Sequence, residues 1–285
     1  VGACVGTMVR HQLVPGRVWL DYDGNRVDPM KFMIDNGFNA IRVFAAYGKP
    51  YETDLRAIEA DNNSNYDHKE SHYQTMWTGI DREVELAKRC SGEGMRIVVT
   101  IQFGRDKPVN GNWHEFVPDD WLDLTYRQTL AKIDTHTRRL ISYYLDAGVQ
   151  PDVVIIENEA DSGLLFQYLD ADGKMACRAG REYALNDRAT GHYSVWPKCA
   201  GYIKREILSV RDELVRRGMD PARTRFAVHT TGNPLRARST FDRIFKNKPD
   251  ADAVYYQDGK PVGVVEAVPE DLRALKIDRM VDIIG

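Results

Sequence analysis

Four β-branched residues in a row, Val153-Val154-Ile155-Ile156, constrain this chain more than any other feature. Such a run is too short for a helix and reads as a strand buried on both faces, as in a parallel sheet covered by helices. Directly behind it stand Glu157, Asn158 and Glu159. Two carboxylates and an amide at the exit of a buried strand are costly to desolvate unless paired, so the placement points to chemistry. The Asn-Glu dipeptide alone says little, since about one is expected by chance at this length. Its position is what counts.

The rest of the chain repeats one unit of apolar strand, loop and amphipathic helix. Strands are expected near Gly2–Met8, Ala40–Ala45, Arg96–Phe103, Arg225–Thr230 and Met280–Ile284, with 153–156 as the fourth. Helix one has Asp28 as N-cap, Pro29 at the first helical position, apolar Met30, Met33 and Ile34, and Gly37 as its stop. In helix two, Ile80, Val84, Ala87 and Cys90 fall on one face. Helix three is expected from Asp119 or Asp120 to Gly148, helix four from Gly201 to Arg217 before Gly218, and a last helix from about Glu270. Between strands five and six, Asp258-Gly259 predicts a hairpin turn within 248–268.

Strand–helix alternation at this rhythm means an α/β fold with a parallel sheet and right-handed crossovers. Long polar loops follow the strands and short ones follow the helices, which fits a (β/α)8 TIM barrel with one working rim. A doubly wound nucleotide fold is disfavoured, because no Gly-x-Gly-x-x-Gly or Walker sequence follows a strand. Six strands are counted by Gly285 and closure takes eight, so the expectation is one barrel domain over 1–285, truncated after the sixth strand, with 248–268 as an inserted hairpin. The start at Val1 reads as a mature or trimmed product.

With 285 residues and 43% hydrophobic content, the chain can bury a large core. Its net charge of -3, with both signs interspersed, argues against nucleic acid as a partner, and no run of 18 apolar residues argues for a membrane span. No Cys/His spacing suggests a metal site. Cys4 and Cys90 read as small buried residues. Cys177 and Cys199 share a long polar loop and are either free or joined, and a disulfide would favour an oxidising compartment. Trp113, Trp121 and Trp196 fall in expected loops, where they either stack on the flat faces of sugar rings or pack on the core.

Gly37-Phe-Asn-Ala-Ile-Arg-Val43, Gly79-Ile-Asp-Arg-Glu-Val-Glu-Leu-Ala-Lys88, Gly94-Met-Arg-Ile-Val-Val99, Gly148 through Glu159, and Val281-Asp-Ile-Ile-Gly285 occur in order. Together they resemble family 53 of the glycoside hydrolases, endo-β-1,4-galactanases that cut arabinogalactan side chains of pectin. The resemblance implies a retaining (β/α)8 barrel of the clan whose acid/base Glu follows an Asn at the end of strand four. It implies Glu159 as acid/base, Asn158 on the sugar hydroxyl next to the reacting carbon, and Arg42 as the strand-two arginine that keeps the nucleophile ionised. His229 matches a cleft-lining His, or is a satisfied structural residue. Trp113 joins the substrate-binding set. In the family the nucleophile lies on strand seven, so it is expected beyond Gly285, and Glu266 reads as part of the hairpin. Glu157 stands where the family usually has Gly. Strand alternation would place it on the same side as Glu159, where it could tune that acid.

Two segments depart from the family pattern. Thr100-Ile-Gln-Phe103 replaces its Asp-Phe-His-Tyr, and Phe44-Ala-Ala-Tyr47 stands in place of its Trp-Asn-Asp-Pro. The implied activity is hydrolysis of β-linked galactan by a secreted monomer, without metal or organic cofactor. The alternatives are a hydrolase of another β-glycan, such as a mannan or glucan, and a carbohydrate-binding barrel without the nucleophile.

Overall fold

The computed structural model describes residues 1–5, 8, 16–47, 51–53, 56, 79–103, 105–109, 112–116, 118–121, 124–158, 168–169, 175–176, 196–230, 254–257, 260–264 and 269–284. Strands β1 (Gly2–Cys4), β2 (Ala40–Ala46), β3 (Arg96–Gln102), β4 (Val153–Ile156), β5 (Arg225–Val228) and β6 (Ile283–Ile284) form one sheet in the order β1-β2-β3-β4-β5-β6. Helices α1 (Pro29–Asp35), α2 (Ile80–Gly92), α3 (Tyr126–Asp146), α4 (Trp196–Arg216) and α5 (Glu270–Arg273) alternate with them. Among the described residues, helices alternate with the strands of a sheet ordered as the sequence runs, which is the expected α/β rhythm. The chain divides into two compact units, Val1–Thr100 with Leu140–Val154, and Ile101–Arg139 with Ile155–Gly285.

In the first unit β1 and β2 run parallel, with Gly2 opposite Ala40 and Cys4 opposite Arg42. Ile41, Val43 and Ala45 of β2 are fully buried, as are Ile97 and Val99 of β3. The predicted face of α2 is also buried at Ile80, Val84, Ala87 and Cys90. Asp28 caps α1 as expected, accepting from the Lys31 N–H at 2.9 Å, and its carboxylate also pairs with Arg89 of α2 at 2.9 Å. Gly37 closes α1 at φ +86°, a conformation that favours glycine.

Gly79, just before α2, is required for a different reason. A Cβ there would lie 2.5 Å from the Tyr51 carbonyl oxygen, the Glu52 carbonyl carbon and the Thr53 nitrogen. That loop is pinned by Asp81 N–H to Tyr51 O at 2.8 Å and Gly79 N–H to Thr53 Oγ at 2.9 Å. Gly79→Ala should therefore cost about 1–3 kcal/mol as the loop is pushed off α2, read as a lowered midpoint in urea unfolding at unchanged slope.

In the second unit β5 and β6 are parallel, with Ala227 opposite Ile283. The α4 stripe Ile203, Ile207, Val210 and Leu214 is fully buried. Arg138 of α3 pairs with Asp212 of α4 at 2.8 Å, and Ser209 Oγ donates to Asp134 at 2.6 Å. The fully buried Lys204 amine donates to the Leu272 carbonyl at 2.9 Å, tying α4 to α5. Arg105–Val109 pairs antiparallel with Asn112–Phe116, and Val254–Gln257 with Lys260–Val264. The second pair flanks 258–259, where Asp-Gly predicts the turn, and forms its own two-stranded sheet.

Several expectations are corrected. Some main-sheet strands are shorter than expected: β1 ends at Cys4, β5 at Val228, and β6 begins at Ile283. β4 is not buried on both faces: Val154 and Ile156 are buried, whereas Val153 and Ile155 are half-buried. Helix three begins at Tyr126, not Asp119, because Pro118 and Trp121 close a separate turn. Thr125 and Gln128 then form a capping box, with Thr125 N–H to Gln128 Oε1 at 2.8 Å and Gln128 N–H to Thr125 Oγ at 3.3 Å. α4 begins five residues earlier than Gly201, so Trp196 and Cys199 lie in its backbone rather than in a loop. Cys90 is buried but Cys4 is exposed, on a strand at the end of the sheet order. Cys177 lies outside the described residues.

Candidate functional site

In the first unit the key residue is Arg42, on the half-buried row of β2. Its neighbours Ile41 and Val43 point to the buried side, which leaves Arg42 and Phe44 together on the other face. Arg42 Nε donates to Thr100 Oγ1 at 2.7 Å, and its guanidinium lies 4.7 Å over the Phe44 ring. Thr100, on β3, is fully buried. The hydroxyl and the ring hold the planar fork in one orientation, which suits it to present a fixed positive charge. The next peptide is fixed too. Phe44 N–H donates to a Glu83 carboxylate oxygen at 2.8 Å, from a buried position on α2. Burial, and then the Glu83 charge, push the fully buried Tyr144 hydroxyl well above its usual range, so it stays protonated.

In the second unit the informative point is the exit of β4. Glu157 has φ +57°, the left-handed region that costs a residue with a Cβ about 1–2 kcal/mol. This fits the glycine expected there from the resemblance. Two-residue alternation ends at Ile156 and does not set where Glu157 points. The Glu157 N–H still donates to the Ile101 carbonyl at 2.9 Å, continuing the ladder to β3. Its carboxylate is buried and accepts the Phe103 N–H at 3.1 and 3.2 Å, one amide shared between both oxygens. Beside it lies Glu206 of α4, fully buried and within hydrogen-bonding reach of Glu157. Burial first, then the Glu157 charge and hydrogen bond, push the Glu206 carboxyl well above the usual carboxylate range.

Asn158 follows, half-buried. Glu159 and Glu266 lie outside the described residues. His229 is half-buried immediately after β5. Trp113 lies on the hairpin strand Asn112–Phe116, paired with Pro108, rather than in a loop. Trp121 is no stacking platform for a ligand: it is fully buried, with its ring 5.5 Å from Phe103 and stacked at 5.9 Å on His136. Of the two readings left open for Trp121, core packing holds, with the turn at Pro118 folding the indole inward. His136 titrates below the usual histidine range, from burial first and then from the Lys132 and Arg139 charges. Glu206, Glu83, Thr100 and Lys204 were missed in the sequence. The available signal was a charged residue on an apolar stripe, Glu83 three after Ile80 and Glu206 three after Ile203. Among the described residues no cluster of three His, Cys, Asp or Glu side chains could hold a metal, and no helix is long and apolar enough to cross a membrane.

The fold is that of known (β/α)8 glycosidases. The catalytic domain of an Ignisphaera aggregans family 53 enzyme superposes with a TM-score of 0.55 at 17% identity, over 85% of this chain and 54% of that one. A fungal β-1,4-galactanase gives 0.54 at 18% identity, over 87% and 59%. The chain thus spans less than two thirds of the length of the solved structures it matches. No curated protein matches it. The family model for glycosyl hydrolase family 53 matches residues 1–260, nearly the whole chain, through every strand from β1 to β5 and the β4 exit. The resemblance in Gly37–Val43, Gly79–Lys88 and Gly148–Glu159 is therefore one of descent, and the chain belongs to glycosyl hydrolase family 53.

Proposed function

We propose that the chain supplies the acid/base, Glu159, of a retaining glycoside hydrolase acting on β-1,4-linked galactan. The observation that carries this reading is the family 53 match running through the β4 exit, where Asn158-Glu159 directly follows Glu157. Retaining hydrolysis needs one carboxyl that protonates the leaving oxygen and a second, ionised one about 5–5.5 Å away that attacks the anomeric carbon. Glu159 donates in the first half-reaction and deprotonates water in the second. Asn158 holds the hydroxyl next to the reacting carbon, Arg42 keeps the attacking carboxylate ionised, and His229 and Trp113 contact the sugar chain. The nucleophile belongs to the family's strand seven.

Two carboxyls suffice for this chemistry, so it needs no metal or organic cofactor. A polymeric substrate does not cross a membrane, so the site of action is outside the cell. The test is reducing-end release from galactan, with the anomer formed first followed by NMR. Galactan cleavage yielding the β-anomer supports the reading, and the α-anomer overturns retention. Binding of galactan without release points to a carbohydrate-binding barrel. The replacement of the family's strand-three segment by Thr100-Ile-Gln-Phe103 favours a second reading, another β-glycan as substrate. Release from mannan or glucan but not galactan would select it.

A further inference from the structure

The pair formed by Glu157 and Glu206 is not explained by the reaction above. Both side chains are buried, and both belong to the unit that holds the end of β3, the exit of β4 and α4. Apart from Glu157, the Glu206 oxygens have no hydrogen-bond partner among the described residues. Two ionised carboxylates in such a place would repel each other and leave oxygens unsatisfied. A single proton between them removes both problems, because Glu206 O–H then donates to Glu157, which also accepts the Phe103 N–H. The strained backbone at Glu157, φ +57°, is held by this side-chain anchor and by its own bond to Ile101.

We propose that Glu157 and Glu206 share one proton as a clamp that fixes the exit of β4, making Glu157 a positioning residue for Asn158 and Glu159. The proposal rests on the acid/base assignment of Glu159. A donor must be held to well under an ångström of its leaving oxygen, and misplacement by about 1 Å can cost 10²-fold in rate. Glu157, two residues upstream, acts on the donor only through the backbone.

Several charged groups on the packed elements have partners of their own. On α4, Lys204 bonds the Leu272 carbonyl and Arg205 pairs with Asp271 at 2.9 Å. On α3, Asp134 accepts from Arg138 and Ser209, and Arg138 also pairs with Asp212. His136 stacks on Trp121 and is uncharged near neutrality. Beyond β3 the donor is the Phe103 peptide itself. Glu157 is thus the one charge acting on Glu206 among the described residues. Because the folded state favours the protonated form, its stabilisation is complete below the ordinary value of 4.5 and is lost as pH rises through the folded value of the pair.

The test is thermal unfolding of the full chain from pH 4 to 9, with galactan kinetics alongside. Glu206→Gln keeps a donor toward Glu157 and has no proton to lose, so the fall in Tm with rising pH should flatten. An unchanged slope overturns proton sharing. Glu157→Ala should lower kcat roughly tenfold or more with KM within about twofold, and Glu157→Gln, which still accepts from Phe103 N–H, should restore most of it. An unchanged kcat in Glu157→Ala overturns the positioning role. Should Glu206→Gln not fold, infrared spectra of the Glu159→Gln chain decide instead. A protonated-carboxyl band persisting at pH 7 supports the clamp, and its absence overturns it. The Tm and infrared readouts do not depend on substrate, so they stand even if Glu159→Gln keeps full activity and the functional reading fails.

Discussion

Glu159→Gln is expected to lower kcat on galactan by about 10²–10⁴-fold, the usual contribution of a positioned general acid–base group. The amide has the same shape and can still hydrogen-bond the glycosidic oxygen, but it has no proton to transfer. An alkoxide leaving group cannot depart without one. A substrate whose leaving group is already stable as an anion, such as an aryl β-galactoside with a nitro group, needs no such help in the first half-reaction. For it, bond cleavage should remain fast while the second half-reaction, which needs Glu159 as base, becomes slow. The outcome is a burst of phenolate followed by a low steady rate, and small anions such as azide should raise that rate by replacing water. Stopped-flow absorbance measures both phases. Undiminished galactan hydrolysis by the variant would end the assignment. A uniform loss on both substrates would mean that the change disturbed folding or binding rather than proton transfer.

Most of the frame was legible because it depends on local rules. Asp28-Pro29 specifies the start of a helix, Gly37 its end, and the spacing of Ile80, Val84, Ala87 and Cys90 the face that is buried. The four-residue run at 153–156 gave β4 to the residue. Errors arose where two local signals competed. The expected start at Asp119 or Asp120 loses to Thr125, whose reciprocal bonds with Gln128 cap the helix. The inward turn of Trp121 depends on a bond from its own N–H to Pro118 O, which composition does not reveal. At the candidate site, Arg42 and Asn158 are proposed from their positions in the family pattern. Their support was not legible there. Thr100 is 58 residues from Arg42 and Glu206 is 49 from Glu157, and nothing local to either residue predicts its partner. The one usable hint was charge on an apolar stripe, at Glu83 and Glu206. The departure from glycine at 157 was visible, but its meaning required the backbone angle.

Arg42→Ala should move the acidic limb of kcat/KM upward by about 1–3 pH units. The sign follows from the proposed role. A guanidinium close to a carboxylate favours its ionised form and lowers its pKa, so removing the cation raises the pKa and the nucleophile protonates at higher pH. Arg42→Lys retains the charge and should shift the limb less. It should still lower kcat, because an ammonium cannot both donate to Thr100 Oγ1 and lie flat over Phe44, as the guanidinium does at 2.7 Å and 4.7 Å. Arg42→Ala also deprives a fully buried hydroxyl of its donor, a loss of about 1–3 kcal/mol in stability. Stability loss alone would mimic a fall in activity, and Thr100→Val separates the two. It removes the anchor while leaving the cation in place, so it should lower kcat through a looser fork with the acidic limb unmoved. If Arg42→Ala leaves the limb where it is in the native chain, Arg42 does not set the ionisation of the nucleophile, and its bond to Thr100 is a packing device between β2 and β3.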